Sequence, residues 1–384
     1  MEAGHQPGHG VFKHRPRPTA LLYTSSALRQ TDRAMASTGT PAPTRPDAPV
    51  VAGGGDRRVS AAARRVLRVV TGRETVSPEL YGRVAFAALS ALTLIVLTGA
   101  AVRLTDSGLG CPDWPRCYGQ AVAPLKSHAI IEYSNRLISG LVGLVAIAAG
   151  ALAFRRRPFR RDLGVIGVLL PVGVVAQAIL GGVTVEQRLA PGYVMAHFGL
   201  SMMILVAAVT LAWRATHEPG SRERSGDRSL VWSTRALTAL GAVTIFAGTV
   251  ATAAGPHAGG SKGQAIHRLR WHGAGTLDWA IHQHAGIAAV FGLAVLGCWL
   301  LARRRAPAES GVRRALTALA GLLATQGLIG AVQYGLHLPS EIVWVHVTLA
   351  ALTWVVLLWA VASAGRLRGH GARRRVGAPA GAGA

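Results

Sequence analysis

The sequence predicts an all-α membrane protein of eight transmembrane helices, built as two tandem, parallel-oriented four-helix bundles with pseudo-twofold symmetry. Three observations predict it: long apolar runs without charge, arginines gathered into short blocks between those runs, and an internal repeat at a fixed offset. Half of the 384 residues are hydrophobic and only 15% are charged, which is too apolar for an ordinary soluble domain. The net charge of +24 does not indicate nucleic acid as a partner, because the arginines lie between apolar runs rather than along one amphipathic face.

Taken in order, residues 1–80 are rich in Pro, Gly, Ala, Ser, Thr and Arg, cannot bury a core, and are expected to form a disordered basic cytoplasmic arm. This stretch lacks the continuous apolar region of a signal peptide, and Met35 competes with Met1 as the start. Crossing the hydrocarbon core takes about 20 apolar residues. Eight runs near that length follow: Val84–Val102, Ile138–Phe154, Leu163–Val185, Tyr193–Trp213, Ala236–Ala254, Ala285–Ala302, Ala315–Val332 and Ile342–Ala364. They are continuous rather than alternating, so helices and not barrel strands are expected. The first half then occupies 81–215, a cytoplasmic linker 216–235, the second half 236–365, and a disordered basic tail 366–384.

Lys and Arg are retained on the cytoplasmic side of a membrane. Four segments, Arg155–Arg161, Arg214–Arg235, Arg303–Arg314 and Arg366–Arg375, carry five Arg each, twenty in all. The alternate connections carry far fewer basic residues, among them Arg103, Arg116, Lys126, Arg188, Lys262, Arg268 and Arg270. Both termini are therefore expected in the cytoplasm, with the connections after the odd-numbered spans facing outward.

The segment "QAILGGVTVEQRLAPGYVMAHFG" recurs in degenerate form as "QGLIGAVQYGLHLPSEIVWVHVT". Gln177 maps to Gln326, Gly181 to Gly330 and His197 to His346, each 149 residues on. The same offset carries Gly143-Leu144 onto Gly292-Leu293 and Arg155-Arg156 onto Arg304-Arg305. An even number of spans per half keeps the two copies in one orientation, hence the expected axis along the membrane normal. Because 284 − 149 = 135, His284 corresponds to Asn135. One half thus has His284 and His346, the other Asn135 and His197, each pair 62 residues apart on separate helices near their outward ends.

Ionisable side chains in membrane helices point to function. Histidines on separate helices of a four-helix bundle suit the axial positions of an iron porphyrin, so His284, His346 and His197 are candidate ligands of heme iron. His128, His257, His267, His272 and His337 have no repeat partner that is also His and are expected as solvated loop residues, with His282 a second choice of ligand. Zinc is the competing use of such residues, but Cys111 and Cys117 of "CPDWPRC" lack the clustered spacing of a structural zinc site. Facing the oxidising side, they are expected as a disulfide, either a structural staple or a redox-active pair; Cys298 reads as packing. Glu132 lies three residues before Asn135, one turn away on the same face. Beside a heme edge it could accept a proton or stabilise a cationic intermediate, or it could be a carboxylate at the membrane surface. Arg136 and Arg103 could pair with heme propionates or snorkel to the interface.

At these residues the chain resembles the heme A synthase family. "GLGCPDWPRCYG" is similar to the family's first-loop cysteine signature, "EYSNRLISG" to its Glu-x-x-His-Arg element, and "LGGVTV", "LAP" and "AHFG" to its fourth-span histidine segment. The resemblance runs from about Val84 to Ala364. It implies a membrane oxidoreductase that converts heme O to heme A by successive hydroxylations of a methyl group to a gem-diol, which loses water to leave the formyl group. It further implies heme b as cofactor on His284 and His346, and the substrate heme in the half of Glu132, Asn135 and His197. Implied surroundings are the lipid bilayer of a bacterial plasma membrane, with heme O synthase and cytochrome oxidase assembly factors as candidate partners.

The sequence departs from that pattern in two places. Asn135 stands where many relatives have histidine, which leaves His197 as the expected lone imidazole for the substrate iron. "GPHAGGSKGQ" lacks the cysteine pair that some relatives carry in the second outer loop. Two other classes of function remain: a di-heme membrane cytochrome b carrying electrons from quinol, which calls for histidine pairs in both halves, and a heme transporter, which calls for inverted repeats or broken helices.

Overall fold

The computed structural model describes residues 74–219, 227–261, 263–307 and 310–364. Among the described residues eight helices are long and apolar enough to cross a membrane. They are α1 (Pro78–Leu104), α2 (Ser127–Arg155), α3 (Arg161–Glu186), α4 (Pro191–Ala215), α5 (Arg228–Ala254), α6 (Thr276–Arg305), α7 (Gly311–Gly335) and α8 (Ser340–Ala364), with a short 3-10 turn, Gly273–Gly275, leading into α6. No strand occurs among the described residues, and the chain is a multi-pass membrane protein. The tail 366–384, nearly all of the arm 1–80, and 220–226 of the linker lie outside the described residues.

Every apolar run lies inside one helix, but α2 begins at Ser127 rather than Ile138, and α6 at Thr276 rather than Ala285. Near the membrane an unpaired backbone amide is costly, so these polar turns stay helical although hydropathy does not mark them. Their extra turns put Glu132, Asn135 and His284 inside regular helix, on rigid positions. Likewise α5 starts at Arg228, within the expected linker, where the Asp227 side chain accepts from Ser229 N at 2.8 Å. Arg305 Nη1 donates to the same carboxylate at 2.8 Å and holds its pKa below the ordinary carboxylate value.

Neighbouring helices close two rings. In the first, α1 packs on α2, α2 on α3, α3 on α4, and α4 on α1; α5 to α8 follow the same order. The rings meet along a seam in which α8 touches α1 and α4, and α4 touches α5. Tryptophan indoles cross that seam: Trp354 Nε1 donates to Met202 O and Trp344 Nε1 to Leu97 O, both at 3.0 Å. At the other end of the bundle, Arg156 is fully buried, donating to Pro158 O and to the Glu218 carboxylate, while Val76 before α1 pairs with the backbone beside it.

The repeat recurs in backbone geometry. After α3, Arg188 and Leu189 both take left-handed backbone, φ 49° and 57°; after α7, His337 and Leu338 do the same, φ 61° and 63°. Two successive non-glycine residues in that region are sterically unfavourable, so the matching pairs mark one turn built twice. The closing bonds match too: Leu189 N donates to Thr184 O at 2.9 Å, and Leu338 N to Gln333 O at 2.7 Å. Each turn reverses the chain and delivers the start of α4 or α8, with its histidine, to the same level of its ring.

Candidate functional site

His284 on α6 and His346 on α8 face each other, their ring centroids 6.3 Å apart and their planes at 79°. Two imidazoles bound to opposite faces of one metal ion, with metal–nitrogen bonds of about 2.0–2.1 Å as for zinc, hold their ring centres roughly 6.4 Å apart. The pair is therefore spaced for one shared iron atom. Small residues make room for both rings. A Cβ on Gly248 of α5 would come within 3.0 Å of the His284 ring, and one on Gly330 of α7 within 3.3 Å of the His346 ring. His284 Nδ1 lies 3.0 Å from Thr244 O, so Nδ1 carries the proton and Nε2 keeps its lone pair for a metal. Gln326 Nε2 donates to the His346 carbonyl at 3.0 Å and fixes α8 against α7; the buried His346 Nδ1 has no partner among the described residues.

In the first half the seat of His346 is repeated. Gln177 Nε2 donates to His197 O at 2.9 Å, and a Cβ on Gly181 would meet the His197 ring at 3.2 Å. Opposite, the seat is different. Asn135 is too short to fill the space an imidazole takes, and Gly99, 149 residues before Gly248, would find nothing within 4 Å of an added Cβ. Buried Asn135 Oδ1 and His197 Nδ1 have no hydrogen-bond partner among the described residues. Unsatisfied buried polar atoms are unfavourable by about 1–3 kcal/mol each, which makes these two candidate contacts for a bound group.

Cys111 and Cys117 form a disulfide in the connection between α1 and α2. Glu132, 6% exposed, turns into this connection: Oε2 accepts from Cys111 N at 2.7 Å, and Oε1 from Arg136 Nη2 at 2.6 Å. Arg136 Nη1 in turn donates to Asp113 O and Arg116 O at 3.0 and 2.9 Å. Arg103 reaches across the seam, Nε to His257 O at 2.9 Å and Nη2 to Thr252 O at 3.1 Å. All three charged side chains expected around the first-half porphyrin thus have backbone partners in the α1–α2 and α5–α6 connections.

Among the histidines expected in solvated loops, His128 Nδ1 is 3.0 Å from Ser107 Oγ, and His257 Nε2 is 2.7 Å from Leu338 O, tying two outer turns together. His282 points away from the His284 pair, its Nδ1 2.8 Å from Asp278 O. No group of three or more His, Cys, Asp or Glu side chains is placed to hold a bare metal ion among the described residues. Three contributors escaped the sequence reading: Thr244, Gly248 and Trp114. The first two act through a carbonyl and a missing side chain, which no motif advertises; Trp114 sat inside a recognised motif without an assigned role.

The chain is similar to several curated proteins. It is 30% identical over 172 residues to the heme A synthase of Lysinibacillus sphaericus, covering 43% of this chain and 56% of that one. It is 33% identical over 141 residues to the heme A synthase of Shewanella oneidensis (32% and 42%), and 34% over 122 residues to that of Bacillus cereus (31% and 39%). The matched part therefore spans about half the length of these relatives, or less. The family model for COX15-CtaA, cytochrome oxidase assembly protein, matches residues 82–130 and 122–358, which reaches into all eight helices and takes in every residue of the two sites. Ring geometry, duplicated turns and matched sequence thus agree, and the chain belongs to the COX15-CtaA family of cytochrome oxidase assembly proteins.

Proposed function

We propose that this protein is a heme A synthase, a membrane oxidoreductase that oxidises a methyl group of heme O to the formyl group of heme A in two hydroxylation stages. The observation that carries the reading is the inequality of the two sites: a pair of imidazoles at single-iron spacing in one half, and one imidazole facing an asparagine in the other. The first is suited to a resident group; the second leaves one face of a porphyrin iron without a strong protein ligand. An electron-carrying di-heme cytochrome needs imidazole pairs in both halves, which Asn135 does not supply.

His284 and His346 would hold heme b, which supplies one-electron transfer when bound. The Thr244 carbonyl fixes the His284 tautomer, and Gly248 and Gly330 let both rings stand against neighbouring helices. In the duplicated first half, His197 would ligate the substrate heme O from one side, with Asn135 and the open space by Gly99 on the other. Glu132 and Arg136 belong to this site through the disulfide loop above it, and Arg103 joins it to the outer turns of the second half. The protein would lie in the bacterial plasma membrane with both termini cytoplasmic. Heme O synthase, which makes the substrate, and cytochrome oxidase assembly factors are the candidate partners.

Expression in a host that makes heme O but no heme A tests the reading. Extracted hemes should include heme A with the native chain. His284→Ala and His346→Ala should lose most of the resident heme b, whereas Glu132→Ala should keep heme b and lose heme A. Heme O left unconverted by a chain that has loaded heme b would sink the proposal.

A further inference from the structure

Glu132 is buried in a helix that lines the first-half site, yet neither carboxylate oxygen is without a protein donor. Oε2 meets the disulfide loop directly, and Oε1 reaches it through Arg136. Cys111 N donates to Oε2, and Arg136, bonded to Oε1, uses its other terminal nitrogen for the carbonyls of Asp113 and Arg116. The loop therefore wraps the Glu132–Arg136 pair, which holds it at both ends of the six-residue disulfide interval. Inside the loop, the Asp113 carboxylate accepts from Tyr118 N at 2.6 Å and Gly119 N at 2.8 Å, so the returning strand of the loop is closed by the loop's own residue.

Trp114, at the tip, shows what this fixed loop reaches. A Cβ on Gly182 of α3 would come within 2.8 Å of the Trp114 indole, while one on Gly181 would meet the His197 ring at 3.2 Å. The indole and the candidate iron ligand thus rest against consecutive glycines of one helix. The loop thus bridges α2, which carries Asn135, and α3, on which the His197 ring also rests.

We propose that Glu132 and Arg136 are positioning residues that latch the disulfide loop as a fixed outer lid over the first-half site, with Trp114 as the part of the lid beside His197. Glu132 then acts on the reaction through the loop rather than by touching porphyrin. This role rests on the assignment of the substrate to the first half.

Protection of the disulfide measures the latch without any reference to activity. Purified full-length protein carrying heme b is treated with tris(2-carboxyethyl)phosphine, and the freed thiols are counted by a mass-tagged maleimide. Hydrogen bonds to charged groups exceed neutral ones in strength, so reduction should quicken at least about tenfold in Glu132→Ala and Arg136→Ala. It should quicken less in Glu132→Gln, whose amide oxygen still accepts from Cys111 N. Heme A yield should fall in the same graded order while the heme b absorbance of the second half is unchanged. Loss of heme A in Glu132→Gln with native disulfide protection overturns the latch and assigns the carboxylate a direct role. If the variants come without heme b, the native chain decides: protection at least tenfold above that of the chain unfolded in dodecyl sulfate is expected, and equal rates reject the lid. Absence of heme A from the native chain with graded protection intact would instead remove the substrate assignment and leave the latch standing.

Discussion

The smallest residue beside the second-half histidine pair sets how the His284 ring can stand. Gly248 has no Cβ, and the one an alanine would add comes 3.0 Å from His284 Cε1, already tighter than ordinary contact. Valine adds branches beyond that point, while the Thr244 carbonyl, one turn earlier on the same helix face, fixes the imidazole at 3.0 Å. Overpacking a rigid contact costs about 1–3 kcal/mol, here set against the imidazole orientation that an iron ligand requires. Gly248→Val is therefore expected to weaken heme b binding about tenfold or more, read by titrating heme into the heme-free protein and following the Soret band. Gly99 provides the matched control, since nothing lies within 4 Å of its Cβ position. Gly99→Val should bind heme b as the native chain does, and equal losses in the two variants would mean that glycine is needed for helix packing and not for the ring.

At the scale of the helix, α2 and α3 approach at a glycine pair. A Cβ on Gly150 would lie 2.9 Å from Gly167 O, and Pro171, four residues after Gly167, has no N–H to occupy that carbonyl. Close backbone approach of this kind is how membrane helices gain contact where hydrophobic association is weak. Alanine favours a helix over glycine by about 1 kcal/mol, so Gly140→Ala, with open space around it, is expected to be neutral or mildly stabilising. Gly150→Ala must push two backbones apart and is expected to lose about 1–3 kcal/mol despite that propensity, seen as a lower unfolding temperature in detergent. Equal melting temperatures would remove the close contact from the packing account. This scale also shows what the sequence could and could not reveal. All eight apolar runs lie inside helices because hydropathy reports the hydrocarbon core directly, and the 149-residue offset pointed to the histidine pair before any coordinates. The polar first turns of α2 and α6 were not legible, since their side chains read as loop while their backbone obeys the membrane. Arg103 and Arg136 were legible as cations near the outer boundary, but carbonyl partners such as His257 O and Asp113 O depend on loop paths that no residue pattern encodes.

The whole molecule must also choose a side of the membrane, and its charge distribution argues for one. The connections after α2, α4 and α6 carry the arginine blocks, and in the first half these are bound into structure: Arg156 is fully buried, and Arg160 donates to Arg214 O and His217 O at 2.9 Å. The opposite connections carry the Cys111–Cys117 disulfide and far fewer cations. Cationic loops resist translocation and disulfides persist in oxidising compartments, so both signals lead us to expect the same set of connections outside. Gln187, exposed after α3, and Arg304, exposed at the end of α6, then lie on opposite sides. In intact cells, Gln187→Cys should react with a membrane-impermeant maleimide, whereas Arg304→Cys should react only after permeabilisation. The native chain gives little background, because Cys298 is buried and Cys111 and Cys117 are bonded to each other. The reverse pattern would put the disulfide loop, and the candidate first-half site beside it, on the cytoplasmic side. It would also leave twenty arginines to be carried across the bilayer, which is the physical reason to expect the first result.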